Sequence, residues 1–148
     1  MRNTRTRTLS YTATAQPINS TLRHQINVNG RHTIITDEPA RLGGTDTAPT
    51  PHELLAATLA SCVSTMLVLY AKPRDIDLGD LRVDVDYDPD TTPRRVEITI
   101  HLPHHLTDDQ VKRLEKVAET CPVRRALEAG FTFTERLMTT PSPTHVGT

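Results

Sequence analysis

Cys62 and Cys121 are the only cysteines in the chain, 59 positions apart, and a pair of thiols is the chemistry this sequence most directly offers. One sulfur can attack and the other can resolve, as a two-thiol redox reaction requires. Cys62 lies within TPHELLAATLASCVSTMLVLYA. At about 100° per residue it shares a helix face with Leu55, Leu59, Met66 and Leu69. That setting equally suits an inert thiol, because free cysteine packs as a small hydrophobe. A reactive thiol needs a cation, a helix N-terminus or a base beside it, and a mid-helix position gives no help from the helix's own dipole. Cys121 differs. In CPVRRAL the proline marks a helix start, which puts the sulfur at the N-cap beside unpaired N–H groups and the positive end of the dipole. Arg124 and Arg125 fall in the same turn, and both features favour a thiolate. The alternative is a cysteine that merely separates two helices.

The elements that must position these thiols are legible in outline. Residues 9–15 alternate Leu9, Tyr11, Ala13 and Ala15 with polar neighbours, a strand pattern. Residues 22–28 repeat it, and Asn29-Gly30 signals a hairpin into a third strand at 31–36. Residues 37–51, DEPARLGGTDTAPTP, form a loop with three prolines and a Gly-Gly pair. The long helix starts near Pro51, with Thr50 and Glu53 as a capping box, and ends before Pro73. Val83, Val85 and Tyr87 mark a fourth strand, and Val96, Ile98 and Ile100 a fifth. Thr107 and Gln110 cap a helix reaching about Thr120, and Pro122 opens a short helix that Gly130 stops. Phe131 to Met138 read as a last strand. The order β-β-β-α-β-β-α-α-β is an α+β arrangement. Residues 9–138 form one domain, between flexible tails at 1–8 and 139–148.

Composition narrows the function classes. A net charge of −1 gives no broad attraction to nucleic acid or to a membrane surface, and the three arginines of MRNTRTRT are too sparse for a nucleic-acid-binding arm. Two cysteines in 148 residues are not a disulfide framework, and no apolar leader pattern opens the chain, so a cytoplasmic setting with reduced thiols is expected. Residues 54–71 carry no charge over 18 positions, near the lower limit for a bilayer span. Thr58, Ser61, Ser64, Thr65 and several alanines instead favour a helix buried in a core or a subunit interface. The stripe Ala57, Ala60, Ser61 and Ser64 lets a second helix approach closely, and a symmetric homodimer is the commonest source of one. His24, His32, His101, His104 and His145 are scattered. His104-His105 and the cysteines show no zinc-type spacing.

DEPARLGGTD, TPHELLAATLASC and ETCPVRRALE, in that order and spacing, resemble the OsmC/Ohr family of thiol-dependent hydroperoxide reductases. The similarity spans roughly residues 9–138 and is nearest to OsmC-like members. It implies antiparallel sheets around long central helices in an intertwined homodimer, with each subunit contributing to both active sites. Cys62 matches the peroxidatic cysteine, which attacks the terminal peroxide oxygen and becomes a sulfenic acid. Cys121 matches the resolving cysteine, and an external dithiol, lipoyl-type in the Ohr branch, resets the pair. Neither a metal nor an organic cofactor is implied. The family arginine that stabilises the thiolate corresponds to Arg41 in the OsmC-type placement and to Arg31 in the Ohr-type placement. The carboxylate that orients it lies ten residues before the peroxidatic cysteine in that family. His52 stands there in this chain and Glu53 is one residue nearer. Half a turn away from Cys62 around the helix, Glu53 serves either the partner's site or the helix cap.

The reading is therefore a cytoplasmic, homodimeric, two-cysteine peroxidase acting on organic hydroperoxides, with Cys62, Cys121, Arg41 and Glu53 as site residues. Leu, Met and Val around Cys62 suit an organic peroxide better than hydrogen peroxide. The departure at His52 keeps a second reading open: an OsmC-like dimer that binds small molecules or senses thiol redox state, with little peroxidase turnover. A third is an interaction module whose cysteines are structural.

Overall fold

Asn29 and Gly30 adopt φ of 51° and 66°, left-handed conformations that Asn and Gly reach at little cost, and with Arg31 they make a three-residue hairpin turn. This turn joins β2 (His24–Val28) to β3 (His32–Thr36). β1 (Ala13–Pro17) lies along the other side of β2, completing an antiparallel sheet of order β1-β2-β3. The computed structural model describes residues 10–139. Leu9, read as the start of the first strand, and the segments 1–8 and 140–148 lie outside the described residues. The first ladder begins at Ala13. Just before it, the Asn29 Oδ1 rather than a backbone carbonyl accepts the Thr12 N–H, at 2.8 Å.

The capping box predicted at Thr50 forms. Glu53 N–H donates to Thr50 Oγ1 at 3.2 Å, and Thr50 N–H donates to Glu53 Oε2 at 2.7 Å. From there α1 runs Pro51–Ala71 and tightens into a 3-10 turn over Lys72–Arg74, which accommodates Pro73 without extending the α ladder. β4 (Arg82–Asp88) and β5 (Arg95–His101) pair antiparallel, with Val85 opposite Ile98. Val83, Val85 and Tyr87 turn inward and the aspartates between them face out. α2 (Asp108–Glu119) opens on the second capping box, Thr107 with Gln110. α3 (Pro122–Ala129) takes Cys121 as its N-cap and ends at Gly130, φ 77°. Val63, Leu67 and Ala71 of α1 join Leu78, Leu114, Ala118 and Cys121 in one buried cluster, with Val83, Ile98 and Ile100 packed against it. One face of α1 is thus held by the β4-β5 hairpin and by both later helices.

Other surfaces stay bare. On α1, Leu69 is 63% exposed and Val68 45%, and β1 is exposed along its whole length. By length and composition α1 with its 3-10 extension would also cross a bilayer, and the single chain buries little of it. Phe131 to Met138, read from sequence as a last strand, has no regular structure, and Phe133 and Leu137 stand 82% and 97% exposed. Alternation creates a two-faced segment, but a strand also needs a ladder partner, and neither sheet of this chain pairs with it.

Between β3 and α1 the chain folds around one carboxylate. Asp37 is 1% exposed. It accepts the N–H groups of Glu38 at 2.8 Å, Thr47 at 3.1 Å and Thr45 at 3.2 Å, together with both threonine hydroxyls. The ring closes tightly enough that a Cβ on Gly44 would lie 1.8 Å from the Glu38 carbonyl oxygen, so only glycine fits. Those hydrogen bonds, the Thr45 hydroxyl first, hold the Asp37 carboxyl well below its ordinary value of 3.8 against the opposing effect of burial. A carboxyl lowered in the folded state stabilises the fold above its unfolded value, and that stability disappears as pH falls through the folded one. Asp37→Asn is therefore expected to lower the urea midpoint at pH 7, and the gap to the native protein is expected to narrow from about pH 4 downward. Parallel profiles across that range would contradict this assignment.

Candidate active site

Cys62 sits at the middle of α1, half-buried, and Cys121 is fully buried at the start of α3. Three local features fix Cys121. Its own N–H donates to Ala118 O at 3.3 Å, at the end of α2. Its carbonyl accepts the Arg125 N–H at 3.0 Å. Its Sγ accepts the Arg124 N–H at 3.5 Å, so sulfur fills the capping role that oxygen usually takes. Leu114 and Ala118 anchor α2 in the same cluster as Val63 and Leu67 of α1, which brings the first turn of α3 against the middle of α1. The two thiols meet there, Cys62 packing against the cluster that contains Cys121. Both are free thiols.

The electrostatics at Cys62 are divided. Burial pushes its thiol up, and the neighbouring Cys121 thiol pushes in the same direction. The Val123 backbone N–H acts in the opposite direction and favours the thiolate. The N-terminus of α3 therefore serves both sulfurs, a point the sequence does not reveal, because it requires knowing that α3 abuts α1. An α1 cysteine thus receives the helix N-terminus it lacks on its own helix.

The remaining residues singled out from sequence are not gathered at the thiols within one chain. Arg41 lies exposed on the 3-10 turn Ala40–Leu42, carried by the Asp37 ring, and Arg31 is exposed in the β2-β3 turn. No arginine is among the groups acting on the Cys62 thiol. Glu53 holds the Thr50 N–H in the capping box. His52 rests against the Tyr87 ring, centroids 6.0 Å apart. On the outer face of the hairpin, His101 Nε2 contacts the Asp84 carboxylate at 2.8 Å. The His105 Nε2 N–H donates to Asp77 O at 3.0 Å.

A cleft of about 560 Å³ opens along the first half of α1, between β5 and α3. Leu55 and Leu59 of α1, Leu127 of α3, and Val96 and Ile98 of β5 make its apolar walls, and Tyr87 borders it. Its charged groups are Arg94, Arg124 and Glu128. Sequence reading missed this cleft. Leu55 and Leu59 were visible as neighbours of Cys62, but nothing local announces that β5 and α3 come to face them.

Residues 44–136 match the family model described as OsmC-like protein. A protein of Haloferax volcanii is 32% identical over 98 residues, 63% of this chain and 74% of that protein. Among solved structures, a Psychrobacter arcticus protein named for osmotic stress induction and detoxification response superposes with a TM-score of 0.65. It has 31% identity and covers 76% of this chain and 85% of that one. A Vibrio cholerae protein assigned to organic hydroperoxide resistance, with captopril bound in one of its active sites, gives a TM-score of 0.62. It has 25% identity and covers 85% of this chain and 90% of that one. Its sheets, helices and family motifs agree with these comparisons, and the chain belongs to the OsmC-like protein family.

Proposed function

We propose that the protein is a two-cysteine peroxidase that reduces organic hydroperoxides. The observation that supports this most directly is the pair of free thiols brought together where α1 meets the start of α3. The Cys62 thiolate attacks the distal peroxide oxygen and the O–O bond breaks. The alkoxide leaves as alcohol after taking a proton, and Cys62 becomes a sulfenic acid. The Cys121 thiolate then attacks the Cys62 sulfur and expels water, leaving a disulfide. An external dithiol, lipoyl-type in our reading, returns both thiols by exchange. One hydroperoxide and one dithiol give one alcohol, one water and one disulfide, so no resident metal or organic cofactor is required. A cytoplasmic location suits a pair that must rest reduced.

The site in this reading is completed by a second copy of the chain. The Cys62 thiol is pushed up, and no cation among the described residues offsets this. The bare face of α1 and the unpaired segment with Phe133 and Leu137 are apolar surfaces that a soluble monomer rarely leaves open. A homodimer buries them and brings Arg41 of one subunit to the thiols of the other. An arginine suits that task because it stays charged and holds a thiolate in fixed geometry. Arg31 is the alternative donor. Glu53 would then orient the arginine across the dimer axis while keeping its own helix cap.

A second reading has a specific support. Glu53 is committed to capping α1, and His52 occupies the place where the resemblance puts a carboxylate. An arginine left without an orienting carboxylate, beside a thiol held up by burial, suits a dimer that is oxidised once and senses redox state or binds a ligand.

Two experiments test these points. With cumene hydroperoxide and dihydrolipoamide, steady turnover is expected in the native protein. Cys62→Ser is expected to abolish it, and Cys121→Ser to stop after one event with a sulfenic acid trapped by dimedone. Single-event oxidation of the native protein under several dithiols would favour the sensing reading instead. In sedimentation, the native protein is expected to run as a dimer and Leu69→Glu to shift it toward monomer with the helical content kept. A native monomer would contradict the completed site.

A further inference from the structure

The segment between β3 and α1 fixes its own backbone and leaves one charged side chain free. Its two ends are tied together: the Asp37 N–H donates to Pro49 O at 3.1 Å, one residue before the Thr50 cap of α1. Inside that tie, the Asp46 N–H donates to Glu38 O at 3.1 Å and the Gly44 N–H to Pro39 O at 3.2 Å. Innermost is the 3-10 turn Ala40–Leu42. It is closed by the Leu42 N–H on Pro39 O and the Gly43 N–H on Ala40 O, both at 2.9 Å. Arg41 is at the middle of that turn and exposed. Among the described residues, no carboxylate forms an ion pair with it.

The Asp37 carboxylate is the hub of these nested loops. It binds Glu38 on one limb and Thr45 and Thr47 on the other, and so joins the two limbs that carry Arg41 between them. A neutral amide cannot take its place. Asparagine has one acceptor oxygen, and its NH2 group would face the N–H groups that now converge on the second carboxylate oxygen. A plain strand-to-helix connection needs no such hub, and loops are ordinarily more mobile than the elements they join. Here the backbone at Arg41 is ordered before the side chain meets anything, so little freedom is lost when the guanidinium meets an anion.

We infer that Asp37 is a positioning residue for the thiol chemistry, because the ring it organises holds Arg41 where a Cys62 thiolate meets it. The inference rests on the reading in which Arg41 of one subunit reaches the thiols of the other. Among the described residues, every hydrogen bond of the Asp37 carboxylate ends within its own loop, so its effect on a sulfur runs through the arginine. A cation close to a thiol favours the thiolate, and that effect weakens as the distance grows. A loosened ring therefore costs Cys62 its ionisation without removing any charge from the arginine.

The test reads the Cys62 thiolate without any peroxide. Full-length protein is alkylated with iodoacetamide across a range of pH, and the Cys62 peptide is quantified by mass spectrometry. Arg41→Gln and Asp37→Asn are each expected to slow Cys62 alkylation about tenfold at pH 7, the order of one charge-assisted contact. The loss is expected as an upward shift of the pH midpoint with the high-pH plateau kept. The double variant is expected to be no slower than Arg41→Gln alone, because two residues acting through one contact are not additive. Thr45→Val removes one hydroxyl from Asp37 and is expected to give a smaller shift of the same sign, which Thr45→Ser restores. If Asp37→Asn does not fold, the Thr45 variants in both Arg41 backgrounds decide the matter in the same way. Equal slowing by Asp37→Asn in the native and Arg41→Gln backgrounds overturns the inference, since Asp37 then acts on the fold alone. A lowered plateau with an unmoved midpoint also overturns it. A shift in Arg41→Gln that neither Asp37→Asn nor Thr45→Val reproduces overturns the inference and leaves the arginine reading standing. An unmoved midpoint in Arg41→Gln overturns the arginine reading itself.

Discussion

Everything chemical in this chain depends on the contact between the middle of α1 and the first turn of α3. A helix of 21 residues is a rigid post, and one sulfur is fixed on it. The second sulfur must be delivered from 59 residues away, and that is the task of α2. Its buried Leu114 and Ala118 dock on α1, and Thr120 closes its last turn through a 2.6 Å hydroxyl bond to Val117 O. Cys121 and Pro122 then start a new helix at once. Pro122 has no N–H to leave unpaired and its φ is already helical. Cys121 is thus capped, buried and in contact with Cys62 as a result of how one short helix begins.

The same contact creates an electrostatic conflict. Burial that brings two thiols together also disfavours ionising the one that must attack. Among the described residues only the Val123 N–H opposes this at Cys62. In the proposed dimer the missing cation comes from a loop that the protein has made rigid. A fully buried carboxylate, Asp37, gathers five donor groups and holds the turn that presents Arg41. A loop this well hydrogen-bonded presents its arginine with little conformational freedom left to lose.

What sequence alone revealed follows the range of the forces involved. The starts of α1 and α2 were legible because a capping box is a reciprocal pair of bonds between residues three apart, and the β2-β3 turn because Asn29-Gly30 meets a local backbone demand. The inward alternation of Val83, Val85 and Tyr87 was legible for a similar reason. Partners distant in sequence were not. The alternating apolar residues from Phe131 onward resemble a strand, yet no strand among the described residues pairs with them. Asp37 carries no local signal, since its role depends on Thr45 and Thr47 folding back onto it. The thiol pair itself was implied by resemblance to a family, and the influence of the Val123 N–H on Cys62 was invisible. The cleft required β5 and α3 to face α1, which no local pattern encodes.

The central claim is that Cys62 and Cys121 of one chain form a redox couple, and direct mapping of the oxidised product tests it. Reduced protein would receive one equivalent of an organic hydroperoxide, then be alkylated, digested and analysed by mass spectrometry without reduction. The account predicts a single peptide pair joined through Cys62 and Cys121, lighter than the reduced pair by two hydrogens, and no free thiol left to alkylate. Recovery of Cys62 as a sulfinic acid with Cys121 fully alkylated would contradict it, because the second sulfur would then stand beside the first without resolving it.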